Sequence, residues 1–378
     1  VRLSSFTQLA TSHELSDAER AEFFQLASAP PAAREAGQEG AADEDGDRRP
    51  WKRPQPPPPP VTLIGRDAEH AALVAQLRAG RHRLVTLVGP GGMGKTSLAL
   101  QVAADLAADP APPFPDGVAV VPLAAVTAPA QVPQLLATSL GVPLRDRRPP
   151  AEQLLDALRD LALLLVLDNC EQLLGPDHGE TLQTLLARLL EGAPRLSVLS
   201  TSRERLRLRD EQVMVLGGLD FPATESGPRV ERAPAVQLFV ERARRVCPDF
   251  ALSGLERADV ARLCRRLGGM PLAIELAAAW TRALTTREIV DELDRSLDLL
   301  TNDAHDVVAR HRSVRAALDH SWRLLDDAER GALARLSIFY GGCDREAAGA
   351  VAGATLPLLS ALIDKSLVRR ASADGVAS

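Results

Sequence analysis

The chain has 378 residues, 46% of them hydrophobic and 25% charged, an ordinary composition for a soluble protein with room for two or three domains. Lysine and arginine total 44 against 50 acidic residues, and the resulting net charge of −6 excludes a surface given over to nucleic acid or an anionic membrane. Four cysteines without CxxC or Cys/His spacing exclude a disulfide framework and a cysteine-based zinc site.

Residues 1–28 carry one helix signal, the capping pair Ser16/Glu19 ahead of Ala21, Phe23, Phe24 and Leu26. Residues 29–60 are rich in Ala, Gly, Pro and charge and end in five prolines, the composition of a disordered linker. From Val61 the pattern alternates. Short β-branched or aliphatic runs at 83–88, 118–121, 163–167, 196–200 and 212–216 predict strands. Helical patterns lie between them, starting at Lys95 and spanning 131–140 and 181–190. That alternation predicts an α/β domain over 61–222, a parallel sheet with helices on both faces. Beyond 222 the strands stop. Helices are expected at 236–246, 255–267, 272–284 and 288–299, with capping boxes at Ser253/Glu256 and Thr285/Glu288, giving a helical domain over 223–310. In 311–370, Val314, Ala317, Leu318, Ser321, Trp322 and Leu325 are expected on one helix face, and Asp326/Glu329 to cap the next helix. A flexible tail is expected over 371–378. The longest apolar run, Leu161–Leu167, is too short to cross a bilayer, and the N-terminal stretch lacks a signal-peptide core. No membrane partner is expected, and the simplest compartment is the cytoplasm.

The strongest chemical signal is Gly89-Pro-Gly91-Gly92-Met93-Gly94-Lys95-Thr96-Ser97, a GxxxxGK[ST] loop between a strand and a helix. Its glycines let backbone N–H groups turn inward onto phosphate oxygens, and the helix N-terminus adds its dipole. Lys95 supplies a point charge to the outer phosphates, and Thr96 a hydroxyl to Mg²⁺. Only three of the 44 basic residues are lysine (Lys52, Lys95 and Lys365), so a lysine here stands out against the arginine-rich background. Asp168 ends the strand LLLVLD, 73 residues after Lys95, where an acidic residue holds Mg²⁺ through water. Asn169 follows it, and an amide cannot take a proton from an attacking water. Glu171 is either a participant or a surface carboxylate. Arg203, closing the fourth strand, can reach a terminal phosphate, since ligands bind beyond the carboxyl ends of parallel strands. Arg205, Arg207 and Arg209 alternate with Glu204 and Asp210 nearby, the pattern of a solvated edge more than of a nucleic-acid stripe.

With these motifs stand VTLIGRDAEHAALVAQL, LSVLSTSRERL, Gly269-Met270-Pro271-Leu272, RHRSVRAALDHSWRLLDDAER and LLSALIDKSLV. Together, from about Val61 to Val368, they resemble the signal-transduction ATPases with numerous domains (the NB-ARC or apoptotic-ATPase type) of actinobacterial transcriptional regulators. The resemblance implies that Ile64, Gly65 and Arg66 lie by the adenine and ribose, and that Pro271 contacts the nucleotide from the helical domain. It makes Arg203 the sensor of the γ-phosphate and the segment from Arg312 a winged helix. Pro271 also suits a plain helix N1 position. The resemblance departs in two places. A family motif that contacts the β-phosphate after DKSLV is not present by Ser378, and neither is a repeat-type sensor. Residues 1–28 resemble the last helices of a helix-turn-helix domain, so the chain is expected to be a piece or a shortened form of a longer regulator.

The expected function is therefore an ADP/ATP switch with Mg²⁺ and slow or no hydrolysis. Self-association in the ATP state and an unidentified effector or sensor partner go with it. A second reading is a DNA-binding factor acting through its winged helix or through a helix-turn-helix before Val1. Residues 311–378 hold nine basic and eight acidic residues, too balanced for a recognition surface, so DNA contact is expected only through a domain outside this chain.

Overall fold

The computed structural model describes residues 53–54, 56, 63–145, 147–174, 181–225, 227, 229–296, 300, 314–339 and 342–368. The helix expected near Ser16/Glu19, most of the 29–60 linker and the 371–378 tail lie outside the described residues.

The five expected strands form one parallel sheet: β1 (Leu84–Val88), β2 (Val118–Pro122), β3 (Leu164–Asp168), β4 (Ser197–Ser202) and β5 (Glu211–Val215). Their order is β2-β3-β4-β1-β5. The three central strands read as unbroken aliphatic or small-residue runs because both faces are covered. Successive residues of β3 alternate between the two layers. Leu165 and Leu167 enter the core on one face, and Leu164 and Val166 the core on the other. Among the buried polar residues of these strands, Thr86 and Ser200 are register partners on β1 and β4 whose hydroxyls meet at 2.9 Å. At the edge, β5 is only half-buried and Val215 is exposed.

Helices α1 (Asp67–Ala79) and α2 (Lys95–Ala108) cover one face, through Leu73, Leu77, Leu98, Val102 and Leu106. Helices α3 (Val132–Leu140), α4 (Pro150–Leu158) and α5 (Leu182–Gly192) cover the other, through Leu136, Leu154, Leu158, Leu185 and Leu189. The sequence reading passed over α1 and α4 as elements. Both carry boundary signals, Gly80 in the left-handed region after α1 and Pro150 at the start of α4.

After β5 come α6 (Pro234–Val246), α7 (Gly254–Arg266), α8 (Pro271–Ala278) and α9 (Thr286–Arg295). They share a core that includes Phe239, Val260, Ile274 and Ile289. Both expected capping boxes are present, Ser253 with Glu256 and Thr285 with Glu288. The helix expected over 272–284 is shorter. It tightens into a 3₁₀ turn at Ala279–Arg282, where backbone N–H groups switch to nearer carbonyls and close the orphan acceptors of the helix end.

The last described group is α10 (Val314–Arg323), α11 (Asp327–Leu336), α12 (Arg345–Ala352) and α13 (Leu356–Asp364). Its core is built of Leu325, Ala332, Ala348, Ala352, Ala354 and Leu362, mostly small side chains. The capping box Asp326/Glu329 is present. The apolar face expected on α10 is corrected. Val314, Ser321 and Leu325 are buried, whereas Leu318 and Trp322 are 45% and 42% exposed. The buried positions do not meet one shared core: Val314 packs in the helical-domain core, Ser321 meets Arg203 of the sheet domain, and Leu325, just past α10, packs in the C-terminal core. Among the described residues of 314–368 there is no strand, so the wing expected of this segment is not among them.

Candidate functional site

The glycine-rich loop leaves β1 at Val88 and enters α2 at Lys95. Gly92 and Gly94 have φ of 80° and 86°, a conformation glycine adopts without steric cost. Gly89 is held for a different reason. A Cβ there would stand 2.5 Å from the Leu216 carbonyl oxygen, so only glycine lets the loop pass β5. The Lys95 ammonium donates to the carbonyls of Gly89 (2.7 Å) and Pro90 (2.8 Å), curling back over the loop. The resulting cleft is lined by Gly91 to Ser97 together with Asn169, Glu171, Arg203, Pro271, Leu272 and Glu275. It lies beyond the carboxyl ends of β1, β3 and β4, where open parallel sheets bind ligands.

Asp168 is nearly buried at the end of β3. Its Oδ1 accepts the Thr96 hydroxyl (2.7 Å) and the Thr201 hydroxyl (2.6 Å). The Thr201 hydroxyl in turn accepts the Asn169 N–H at 2.9 Å, in a turn where Asn169 takes φ 70°, a region asparagine tolerates. A carboxylate and a hydroxyl, both hard oxygen donors and already in contact, are the donor set that suits Mg²⁺ beside phosphate. The sequence reading missed Thr201. Its place two residues before Arg203 at a strand end was the available signal.

Arg203 is 4% exposed and Glu171 2%. The Arg203 Nε donates to Glu171 Oε1 at 3.0 Å, and its Nη1 donates to the Ser321 hydroxyl on α10 at 2.6 Å. From the other direction, the Ser366 hydroxyl donates to the Arg203 carbonyl at 2.9 Å. The guanidinium also lies on the glycine-rich loop, since a Cβ at Gly91 would be 2.9 Å from its Nη2. These contacts decide the alternative left open for Glu171, which is not a surface carboxylate. The 3₁₀ turn Glu171–Leu173 folds it inward behind Asp168. Removing either member of such a buried pair costs about 3–5 kcal/mol, because the other charge is left unpaired.

The loop is also braced by the segment ahead of α1 and by the helical domain. Arg66 is buried and donates through Nη2 to Met93 O (3.2 Å) and Gly217 O (2.5 Å), and through Nη1 to Glu69 (2.7 Å). Ile64 packs against the helical-domain core, and Gly65 is pressed against Pro234. Ile64, Gly65, Arg66 and Gly89 thus stand behind the loop, outside the cleft lining. Pro271 is the N1 residue of α8 and also lines the cleft, so its two sequence readings are compatible. The Leu272 N–H donates to Gly92 O at 3.2 Å. The backbones of Leu219 and Gly269 meet just beyond, through a 2.8 Å hydrogen bond. A Cβ on Gly269 would lie 2.0 Å from Leu219 O.

The arginines after β4 form the solvated edge expected of them, with Arg205 and Arg207 47% and 60% exposed, and the edge has an acidic neighbour. Arg205 and Arg207 reach Asp364 at the end of α13, at 3.5 and 3.8 Å. Next to them, Lys365 donates to Glu329 (2.6 Å) and Leu324 O (2.8 Å). Burial pushes the Glu204 carboxyl above its ordinary range, with Lys365 and Arg207 opposing. No single helix among the described residues is long and apolar enough to cross a membrane.

Residues 62–200 match the AAA ATPase domain family. Over 304 residues the chain is 37% identical to the Mycobacterium tuberculosis protein named "Putative HTH-type transcriptional regulator Rv0890c", covering 79% of this chain and 32% of that protein. It therefore spans about a third of the length of these regulator relatives. Over 316 residues it is 36% identical to the uncharacterized protein Rv0894 of the same organism, covering 82% of this chain and 75% of the relative. Among solved structures it is similar to the Walker-type ATPase PABY2304 of Pyrococcus abyssi, with 14% identity, TM-score 0.47, and coverage of 80% and 89% of the two chains. It is also similar to the STAND protein PH0952 of Pyrococcus horikoshii, which has a tetratricopeptide repeat sensor, with 16% identity, TM-score 0.34, and coverage of 85% and 42%. On the glycine-rich loop, the sheet order and the domain match, residues 62–200 of this chain form an AAA-type ATPase domain of P-loop NTPase fold, and the chain belongs to the family of the Mycobacterium tuberculosis protein Rv0894, matched over three quarters of that relative.

Proposed function

We propose that this chain is the nucleotide switch of a transcriptional regulator, binding ADP and ATP with Mg²⁺ and hydrolysing ATP slowly or not at all. The observation that carries the reading is Arg203. One side chain faces the P-loop cleft and holds the α10 hydroxyl of Ser321, so a ligand that draws the guanidinium also acts on the C-terminal helices. A switch needs such an element, with contacts that differ between its two ligands. The loop N–H groups would cradle the phosphates with Lys95 on the outer ones, Thr96 and Asp168 would hold Mg²⁺ through water, and Pro271 would close the cleft from the helical domain. The ATP state releases the C-terminal helices for self-association or for an effector. The regulator relatives support a role in transcription, with DNA bound by a domain outside this chain and the whole acting in the cytoplasm.

Fluorescent ADP and ATP titrations of the purified chain test the reading. Tight ADP binding is expected, and Lys95→Ala should weaken it about 100-fold, since a charged hydrogen bond to phosphate is lost. Unchanged affinity in that variant, or fast steady-state ATP turnover by the wild type, overturns it.

A further inference from the structure

The cleft contains one acidic group whose chemistry is not used by nucleotide binding. Glu171 is 2% exposed and lines the cleft beside the glycine-rich loop. Its Oε1 is paired with Arg203, while its Oε2 is buried with no hydrogen-bond partner. A buried, unsatisfied carboxylate oxygen is costly and rare in a folded protein, and it is found where a site awaits a donor. The other acidic and amide groups lining the cleft or next to it are differently engaged, Asp168 lying beside the cleft rather than in its lining. Asp168 Oδ1 already accepts two threonine hydroxyls. Asn169 is an amide and cannot accept a proton. Glu275, on α8, is 39% exposed and paired with Arg242 at 2.9 Å, on the helical-domain side.

We propose that Glu171 is the general base for the slow hydrolysis of ATP, kept idle by its ion pair with Arg203 and, through Arg203, by Ser321 of α10. The proposal rests on the cleft being an ATP site. With ATP bound, the γ-phosphate competes with Glu171 and Ser321 for the Arg203 guanidinium. Loss of that partner leaves Glu171 with a free carboxylate facing the cleft, able to receive a water as donor. The water oxygen forms the new bond to the γ-phosphorus, and its proton passes to the Glu171 carboxylate. The bond from the γ-phosphorus to the β–γ bridging oxygen breaks, and ADP leaves with that electron pair, its charge met by Lys95. The base therefore stands three residues after Asp168, at a distance along the chain that the 3₁₀ turn Glu171–Leu173 makes short in space. Because Ser321 belongs to α10, hydrolysis is restrained whenever the C-terminal helices are docked.

Single-turnover ATP hydrolysis and nucleotide titration on the full chain test this together. Glu171→Gln keeps an acceptor for the Arg203 Nε but cannot take a proton, so hydrolysis should fall about 100-fold with ATP affinity retained. Added formate should restore part of the rate in Glu171→Ala, which a purely structural role for the carboxylate would not allow. Ser321→Ala should raise the wild-type rate several-fold by loosening the restraint. Wild-type hydrolysis in Glu171→Gln with ATP bound overturns the proposal. So does an absence of hydrolysis in both the wild type and Ser321→Ala while ATP binds. A wild-type chain that binds no nucleotide at all overturns the reading of the cleft instead, and the titration separates the two failures.

Discussion

The sheet domain and the C-terminal helical group are built in opposite ways. β3 is a row of leucines and valines buried from both sides, and each face of the sheet has its own core of large aliphatics. The fully buried centre of the group α10–α13 is four alanines and two leucines, ringed by only partly buried leucines such as Leu333, Leu336, Leu358 and Leu359, and the group leaves Leu318, Trp322, Ile338, Val351 and Leu356 exposed. Burial of large side chains stabilises in proportion to the apolar area removed from water, so the first region can stand alone far better than the second. What ties the second to the first is polar: Arg203 to Ser321, Ser366 to the Arg203 carbonyl, and Arg205 and Arg207 to Asp364. The exposed Arg205 and Arg207 pairs with Asp364 contribute little, whereas the buried Arg203 contacts are costly to break unless a ligand supplies a new partner, which suits a docked group released by what binds in the cleft.

The contrast can be broken by matched substitutions. Leu165→Ala, at a fully buried position of β3, should cost about 3–4 kcal/mol and lower the main thermal transition together with nucleotide binding. Leu362→Ala, equally buried but packed among alanines, should expose 314–368 to limited proteolysis while the sheet domain still binds nucleotide. If both variants melt in the same single transition, the two regions are one cooperative unit and the contrast has no energetic content.

A second test is sharper and smaller. Burial raises the Glu204 carboxyl, so the folded chain holds that proton more tightly than the unfolded chain. Stability from this group is therefore greatest below the unfolded value and is lost as pH rises through the higher folded one. Glu204→Gln should be more stable than the wild type at neutral pH and should flatten this part of the pH dependence in thermal melts. A neutral-pH loss of stability in the variant would mean that Lys365 and Arg207 outweigh the desolvation. The smallest expected effect is in the helical domain, where Thr285→Ala removes the hydroxyl that caps α9 and should cost about 1 kcal/mol, read as a shift of a few degrees in melting temperature.

Much of this was legible along the chain. All five strands lie within two residues of the positions their sequence runs predicted, most plainly β1 and β3, where burial on both faces leaves almost unbroken aliphatic runs. The three capping boxes in the described helices were readable for the opposite reason, being short-range hydrogen bonds between residues three apart. Gly91 to Ser97 line the cleft, as the loop motif predicted from spacing alone. The stripe on α10 was misread because periodicity reports which residues share a face and not what that face meets.

The sequence by itself determined the five strands and most of the helices along the chain, the phosphate loop, and the acidic strand end at Asp168, since each depends on neighbours within a few residues. Only the tertiary structure decided that Arg203 meets Glu171, 32 residues before it, and Ser321, 118 residues after it. It also decided that Glu171 is buried and half-satisfied, and that Arg205 and Arg207 face Asp364. Those facts depend on which distant segments the packing brings together, and local propensity and spacing carry no record of that.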